Sequence, residues 1–199
     1  LENLPFLHVN IFKDYELYSC KKENIIMQLN SSGTTGSPSK IFLDKKNALN
    51  QKKILKHILV NEFGKERLPY LIIDKNPLRN VDRKKFNAKL AAIFGFGIIG
   101  FDNTYVLNDN NEINYSVLNK FLKKYSEKKF LIFGFTSQIY EILCKKLSML
   151  KVKFPINNGI ILHGGGWKKL ENLKIDNKNL KKLIRSKLRI NKVINYYGF

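Results

Sequence analysis

The stretch Phe130-Leu131-Ile132-Phe133, followed by Ser137 to Leu147 and then by Gly159-Ile160-Ile161-Leu162 running into Gly164-Gly165-Gly166, decides the fold. Two short apolar runs bracket an amphipathic segment of helical length, and the second run ends on consecutive glycines. Apolar runs without polar alternation are expected of strands buried on both faces, which is the condition of a parallel sheet covered by helices. The same rhythm extends in both directions. Upstream lie the runs Tyr70-Leu71-Ile72-Ile73 and Thr104-Tyr105-Val106-Leu107, with a helix predicted from Asp82 to Phe94 and another around Val117-Leu118, Phe121-Leu122 and Tyr125. Downstream, a helix is predicted over about Asn179 to Leu188 and a strand over Val193 to Tyr197. The expectation is an α/β domain of mostly parallel sheet layers covered by helices, with ligands at the carboxyl ends of the strands.

Nearer the N-terminus, Ile25-Ile26-Met27-Gln28-Leu29 reads as a strand entering the loop Ser31-Ser32-Gly33-Thr34-Thr35-Gly36-Ser37-Pro38-Ser39-Lys40, and Ile41-Phe42-Leu43 as a strand leaving it. Asp44 then caps a helix carrying Leu49, Ile54, Leu55, Ile58 and Leu59, which Gly64 ends. Small hydroxyl and glycine residues let a backbone curl around phosphate oxygens, while Ser and Thr hydroxyls and Lys40 add donors and charge. A flexible linker needs no apolar strand on either side. The Walker arrangement also fails, because counting five positions from Gly33 lands on Pro38 rather than on a glycine followed by Lys.

A second glycine pattern, Gly95-Phe96-Gly97-Ile98-Ile99-Gly100, has dinucleotide-binding spacing but the wrong context. That fingerprint leaves a strand and opens a helix, whereas here a helix precedes it and a strand follows. The segment Leu162-His163-Gly164-Gly165-Gly166-Trp167-Lys168 is a more promising strand end. Its glycines permit close approach to the backbone, Trp167 offers a wall and Lys168 a cation. A tight turn beside a core Trp is the alternative. No His, Cys, Asp or Glu spacing indicates a metal site, and a histidine placed like His163 is more often a hydrogen-bonded structural residue than a base or metal ligand.

The chain has 199 residues, 44% of them hydrophobic, which suffices for one substantial core, or for a larger layer and a small annex. No run approaches the ~18 apolar residues of a membrane span, and no secretory signal opens the sequence, so a cytoplasmic location is expected. The two cysteines, Cys20 and Cys144, are too far apart in sequence to indicate a zinc ribbon or redox pair. A formal charge of +20 raises a nucleic-acid partner. Yet the excess is scattered lysine, and the only arginines are Arg67, Arg79, Arg83, Arg185 and Arg189, whereas base and phosphate recognition leans on arginine's planar fork.

The loop at Ser31 to Lys40 resembles the pyrophosphate loop of adenylate-forming enzymes, which reads Ser/Thr-Ser-Gly-Thr-Thr-Gly-x-Pro-Lys; here Ser39 intervenes before Lys40. Four segments together, Leu4-Pro5-Phe6-Leu7-His8-Val9-Asn10-Ile11-Phe12-Lys13, Ser39-Lys40-Ile41-Phe42-Leu43-Asp44, Phe133-Gly134-Phe135-Thr136 and His163 to Lys168, resemble the acyl-protein synthetase family, the fatty-acid-activating subunits of bacterial luminescence operons. That resemblance implies ATP and Mg²⁺ as cofactors, a fatty acid as substrate and an acyl-accepting protein, such as a reductase or carrier, as partner. It implies that Ser31, Ser32, Gly33, Thr34, Thr35, Gly36 and Lys40 grip phosphate, with Lys40, Thr34 and Thr35 in catalytic roles. His163, Gly164, Gly165, Gly166, Trp167, Lys168, Tyr197 and Gly198 would seat the nucleotide, and Phe135 and Thr136 would border the acyl pocket. Tyr197-Gly198-Phe199 resembles the start of an aromatic-Gly-x-Thr-Glu strand end. The expectation is therefore an incomplete N-terminal adenylation domain over 1–199, with the Thr and Glu, a C-terminal domain and the acyl-accepting cysteine lying downstream, and with 1–199 inactive alone. Two rival classes stay open: a non-catalytic relative that binds nucleotide or a partner, and a basic nucleic-acid binder.

Overall fold

In the computed structural model, residues 6–8, 10–31, 36–77, 85–150, 154–165 and 175–196 are described. The chain divides into two compact units, one formed by Leu1–Lys65 with Pro77–Ile98, the other by Glu66–Asn76 with Ile99–Phe199.

The first unit opens with the short helix α1 (Ile11–Asp14) and is built on a three-stranded sheet ordered β2-β1-β4. Strand β1 (Ile25–Asn30) pairs antiparallel with β2 (Lys40–Asp44), so the glycine-rich loop is the tip of a hairpin. Helix α2 (Lys45–Phe63) follows directly: the Asp44 carboxylate accepts a hydrogen bond from the Asn47 N–H at 2.7 Å, and Gly64, at φ +96°, ends the helix. The predicted apolar face of α2 is only partly used, since Leu59 is buried while Leu49, Ile54 and Ile58 are exposed. Of the helix predicted from Asp82 to Phe94, residues 82–84 lie outside the described residues, and the next three are not helical. Lys85–Asn87 form β4, parallel to β1 in register with Gln28–Asn30, and helix α3 (Ala88–Phe96) begins only afterwards. The backbone groups of Lys85–Asn87 find partners in β1, across the sheet and not along a helix.

The second unit is a five-stranded sheet ordered β5-β3-β6-β7-β8, every pairing parallel. Its strands are β3 (Leu68–Lys75), β5 (Gly100–Leu107), β6 (Phe130–Phe135), β7 (Gly159–Gly164) and β8 (Val193–Tyr196). Because the Gly95–Gly100 pattern runs from the end of α3 into β5, it lacks the strand-to-helix setting of a dinucleotide loop. The central strands are apolar up to their carboxyl ends for the expected reason. Residues Leu68 to Asp74 of β3 and all of β7 are buried. Helices α4 (Tyr115–Tyr125) and α6 (Asn177–Leu188), together with the helical stretch after β6, cover the sheet, and Ile73, Ile132 and Ile161 join Leu118, Ile142, Leu180 and Ile184 in one core cluster. Each such side chain contributes roughly 1.5–3 kcal/mol of burial.

The stretch after β6 departs from ordinary α-helix. Thr136–Gln138 form one turn, α5, and Ile139–Lys146 continue as a π-helix. The Leu147 N–H reaches both Ile142 O and Leu143 O, the wider bond that defines such a segment. Its buried side Ile139, Ile142, Leu143 and Cys144 still faces the core. Strand β5 bends at Asp102, whose φ is +50°. Its carboxylate accepts hydrogen bonds from Tyr125 Oη at 2.7 Å and Lys124 Nζ at 2.9 Å. These bonds, that of Lys124 foremost, hold the Asp102 carboxyl below the usual range.

Candidate functional site

The candidate phosphate loop is closed at its neck by two hydrogen bonds between the same pair of serines. Ser31 N donates to Ser39 O at 3.0 Å, and Ser31 Oγ accepts from Ser39 N at 2.8 Å. Ser39 takes part through its backbone N–H and C=O alone, so the side chain that shapes this pinch is that of Ser31. The Ser31 hydroxyl oxygen is thereby engaged as an acceptor by the loop's own backbone. Gly36 lies on the loop at φ +122°, a conformation L side chains rarely adopt, with open space where a Cβ would be. Lys40 opens β2 in register with Asn30, and its Nζ lies 3.7 Å from Glu16 Oε1. Sequence reading missed Glu16; nothing local marks a carboxylate so far upstream as the counter-ion of Lys40. Ser32, Gly33, Thr34 and Thr35 lie outside the described residues.

The second unit gathers its polar chemistry at one edge. Among the described residues the buried polar or charged side chains are Asp74, Thr136 and His163, and each stands at the carboxyl end of a strand of the parallel sheet or one residue beyond it. Adjacent strand ends in such a sheet are where ligands bind. Asp74, near the end of β3, accepts from Lys75 N at 2.8 Å and from Gln138 Nε2 at 3.4 Å, while Gln138 Oε1 accepts from Phe135 N at 3.4 Å. Gln138 therefore links the ends of β3 and β6. Burial, with the Asp74 charge second, raises the Tyr105 phenol above its usual value.

Thr136 is the hub of the edge. Its Oγ1 lies 3.0 Å from His163 Nδ1, 3.1 Å from Gly164 O and 2.9 Å from Gly165 O. His163 is 1% exposed, and among the described residues no group stands within full hydrogen-bond geometry of its Nε2, Asn177 being the side chain that interacts with the ring. Burial first, then the charge of Lys181, pushes the imidazole down to about 4, against a weaker opposing contribution from Asn177, so the ring is neutral near pH 7.

The glycines of the strand end serve the protein's own rings. Gly164 lies in register between Phe135 of β6 and Tyr196 of β8. A Cβ on Gly164 would come within 2.3 Å of Tyr196 Cε1, and one on Gly165 within 2.7 Å of Phe135 Cδ1. Gly165 also sits at φ +74°. Close approach, which the sequence suggested for a ligand, is here made by Tyr196 and Phe135. Burial pushes the Tyr196 phenol up to about 12. Gly166, Trp167, Lys168, Tyr197 and Gly198 lie outside the described residues. Sequence reading also missed Asp74, Gln138 and Tyr196; a lone acid, amide or Tyr at a strand end carries no motif.

Residues 1–199 match the family described as acyl-protein synthetase, LuxE. The chain belongs to the LuxE acyl-protein synthetase family. It is also similar to the long-chain-fatty-acid–luciferin-component ligase of Aliivibrio fischeri, at 23% identity over 199 residues, covering 97% of this chain and 50% of that protein. The chain thus spans about half the length of the curated relative it matches. Among the described residues no three His, Cys, Asp or Glu side chains gather where a metal ion would sit, and no helix is long and apolar enough to cross a membrane.

Proposed function

We propose that this chain supplies the ATP-gripping part of an enzyme that activates a carboxylic acid, a fatty acid by its family, as an acyl-adenylate. The observation that carries the reading is the serine-pinched hairpin loop, with Gly36 at positive φ and Lys40 at its exit. A carboxylate is a poor acylating agent because its leaving group would be oxide. Attack of a carboxylate oxygen on the α-phosphorus of ATP forms a C–O–P mixed anhydride and breaks the α–β anhydride bond, whose electrons leave on pyrophosphate. Charge builds on that leaving group, and preorganised donors that meet it supply most of the rate enhancement. Lys40, with Ser32, Gly33, Thr34, Thr35 and the Gly36 backbone, fills that role.

The strand-end edge of the second unit, taken by itself, offers residues for adenosine and adenylate: His163, Gly164, Gly165, Gly166, Trp167, Lys168, Tyr197 and Gly198, with Phe135 bordering the acyl chain. Magnesium accompanies ATP in this chemistry, and an ion carried largely by the nucleotide's own phosphates needs no cluster of three acidic or imidazole ligands. The acyl group then passes to a thiol on a protein or carrier. Cys144 does not fit that nucleophile: it is fully buried, and burial pushes its thiol up to about 12, so almost none is thiolate at neutral pH.

The test is carboxylate-dependent exchange of labelled pyrophosphate into ATP by the intact protein, across acids of graded chain length. Exchange that depends on a fatty acid is expected. No exchange with any acid would overturn the reading.

A further inference from the structure

We infer that Thr136 and His163 form a hydrogen-bond brace that holds the Gly164–Gly165 turn in its binding geometry, making Thr136 a positioning residue for the nucleotide rather than a wall of the acyl pocket. The inference deepens the functional reading above and rests on it for the identity of the ligand.

The argument begins with proton counting. A threonine hydroxyl has one hydrogen to give and lone pairs to receive. Around Thr136 Oγ1 stand two backbone carbonyls, which only accept, and one imidazole nitrogen, which does either. If Thr136 gave its proton to His163 Nδ1, both carbonyls would face bare oxygen lone pairs at about hydrogen-bond distance, an unfavourable buried arrangement. The assignment that satisfies the cluster has His163 Nδ1–H donating to Thr136 Oγ1 and Thr136 Oγ1–H directed at the carbonyls of Gly164 and Gly165. That fixes the tautomer, leaving Nε2 as an acceptor.

Two successive carbonyls are thereby drawn to one hydroxyl. Because the peptide group is planar and trans, turning the Gly164 carbonyl toward Thr136 turns the Gly165 N–H away from it, so the brace sets where that donor points. Stability accounts for part of this chemistry, since the hydroxyl meets two backbone carbonyls that an apolar side chain would leave bare. A valine in place of Thr136 has nearly the same volume but would leave both carbonyls without that donor, and the buried His163 ring is held against the same hydroxyl. Thr136 and His163 are two of the three buried polar side chains among the described residues, and both are committed to this turn. A wall of an acyl pocket would instead present its methyl group to the ligand and need no such partners.

The experiment compares Thr136→Val and Thr136→Ser in the intact protein, measuring KM for ATP and the preference among fatty acids of different length. The brace predicts that T136V raises the ATP KM about tenfold, the size of one lost hydrogen bond in a buried network, with chain-length preference unchanged. T136S, which keeps the hydroxyl, returns to within about threefold of the parent. A change in chain-length preference at constant ATP KM would make Thr136 a pocket wall and overturn the inference, as would T136S behaving like T136V. A second readout needs no turnover: ¹⁵N spectroscopy of the His163 ring is expected to show Nδ1 protonated and Nε2 bare in the parent. Protonation on Nε2 instead would overturn the brace, even if T136V failed to fold. Absence of any carboxylate-dependent exchange, by contrast, would sink the functional reading while the ring assignment stood.

Discussion

The hairpin loop of the first unit and the strand-end edge of the second handle polar groups in opposite ways. In the loop, Ser31 and Gly36 are exposed and Lys40 is half-exposed, so the chemistry faces solvent and the fold below scarcely depends on it. At the edge, Asp74, Thr136 and His163 are buried and bonded to backbone or to one another, so chemistry and fold share the same atoms. Substitutions in the loop should therefore separate activity from stability, and substitutions at the edge should not.

The largest effect is expected from Lys40→Ala. Removing one donor that meets a developing anion costs about 10²- to 10³-fold in rate, and exchange of pyrophosphate into ATP should fall by that much. Stability should hardly change, because substitutions at exposed positions stay within about 0.5 kcal/mol and the pair with Glu16 is a solvent-exposed one. Rate and urea midpoint measured on one preparation test both halves. A variant that loses both in proportion would erase the contrast between loop and edge.

His163→Gln comes next and is read through pH. The native imidazole titrates at about 4, below its usual value near 6.5, so the unfolded chain takes up a proton before the native protein does. The sign follows: His163 leaves stability intact above pH 6.5 and lowers it progressively as pH falls toward 4, by a total of about 3 kcal/mol. The glutamine variant should lose correspondingly less between pH 7 and pH 4.5. Equal losses in parent and variant would show that the ring is not held neutral.

Most of the parallel sheet was legible in the sequence, because strands buried on both faces must be apolar along their whole length, as Tyr70 to Ile73 and Gly159 to Leu162 are. Strand β4 was not. Lys85-Phe86-Asn87 has neither length nor alternation, and only its pairing with β1 makes it a strand. The hairpin that carries the glycine and hydroxyl run was legible because two apolar strands flank that run directly in sequence. The edge was half legible: His163 and the glycines stand together, but Thr136 lies 27 residues from His163, and Asp74 is 64 from its Gln138 partner. Such pairs are created by strand order, which no local pattern encodes. Asn177–Leu188 and Lys45–Phe63 show the same limit in helices, since α6 buries the face its spacing predicts whereas α2 leaves Leu49, Ile54 and Ile58 exposed.

Gly164→Ala and Gly36→Ala put one methyl group into each region. At Gly164 the new Cβ collides with the Tyr196 ring, and overpacking of this kind costs about 1–3 kcal/mol. At Gly36 nothing lies within 4 Å, so the cost is the strain of a side chain at φ +122°, borne by the loop alone. Denaturant midpoints should fall for the first and stay nearly constant for the second, while exchange activity falls for both. A midpoint for G164A equal to that of the parent would mean that Tyr196 yields easily.

The smallest effect in this series concerns the helix that carries the loop. Asp44 ends β2 and caps α2 through the Asn47 N–H, as Asp176 caps α6 through the Asn179 N–H at 2.6 Å. Loss of either cap costs about 1 kcal/mol. The consequences should nonetheless differ, because α6 is anchored by buried Leu180, Ile184 and Leu188, whereas α2 is held mainly through Leu59. Without its cap, the first turn of α2 should fray and speed amide exchange there severalfold, loosening the residue that follows Leu43 and with it the seat of Lys40. Asp176→Ala should lower the midpoint of the whole unit with little local fraying. Equal local fraying in both variants would show that the caps, and not the buried faces, hold the two helices.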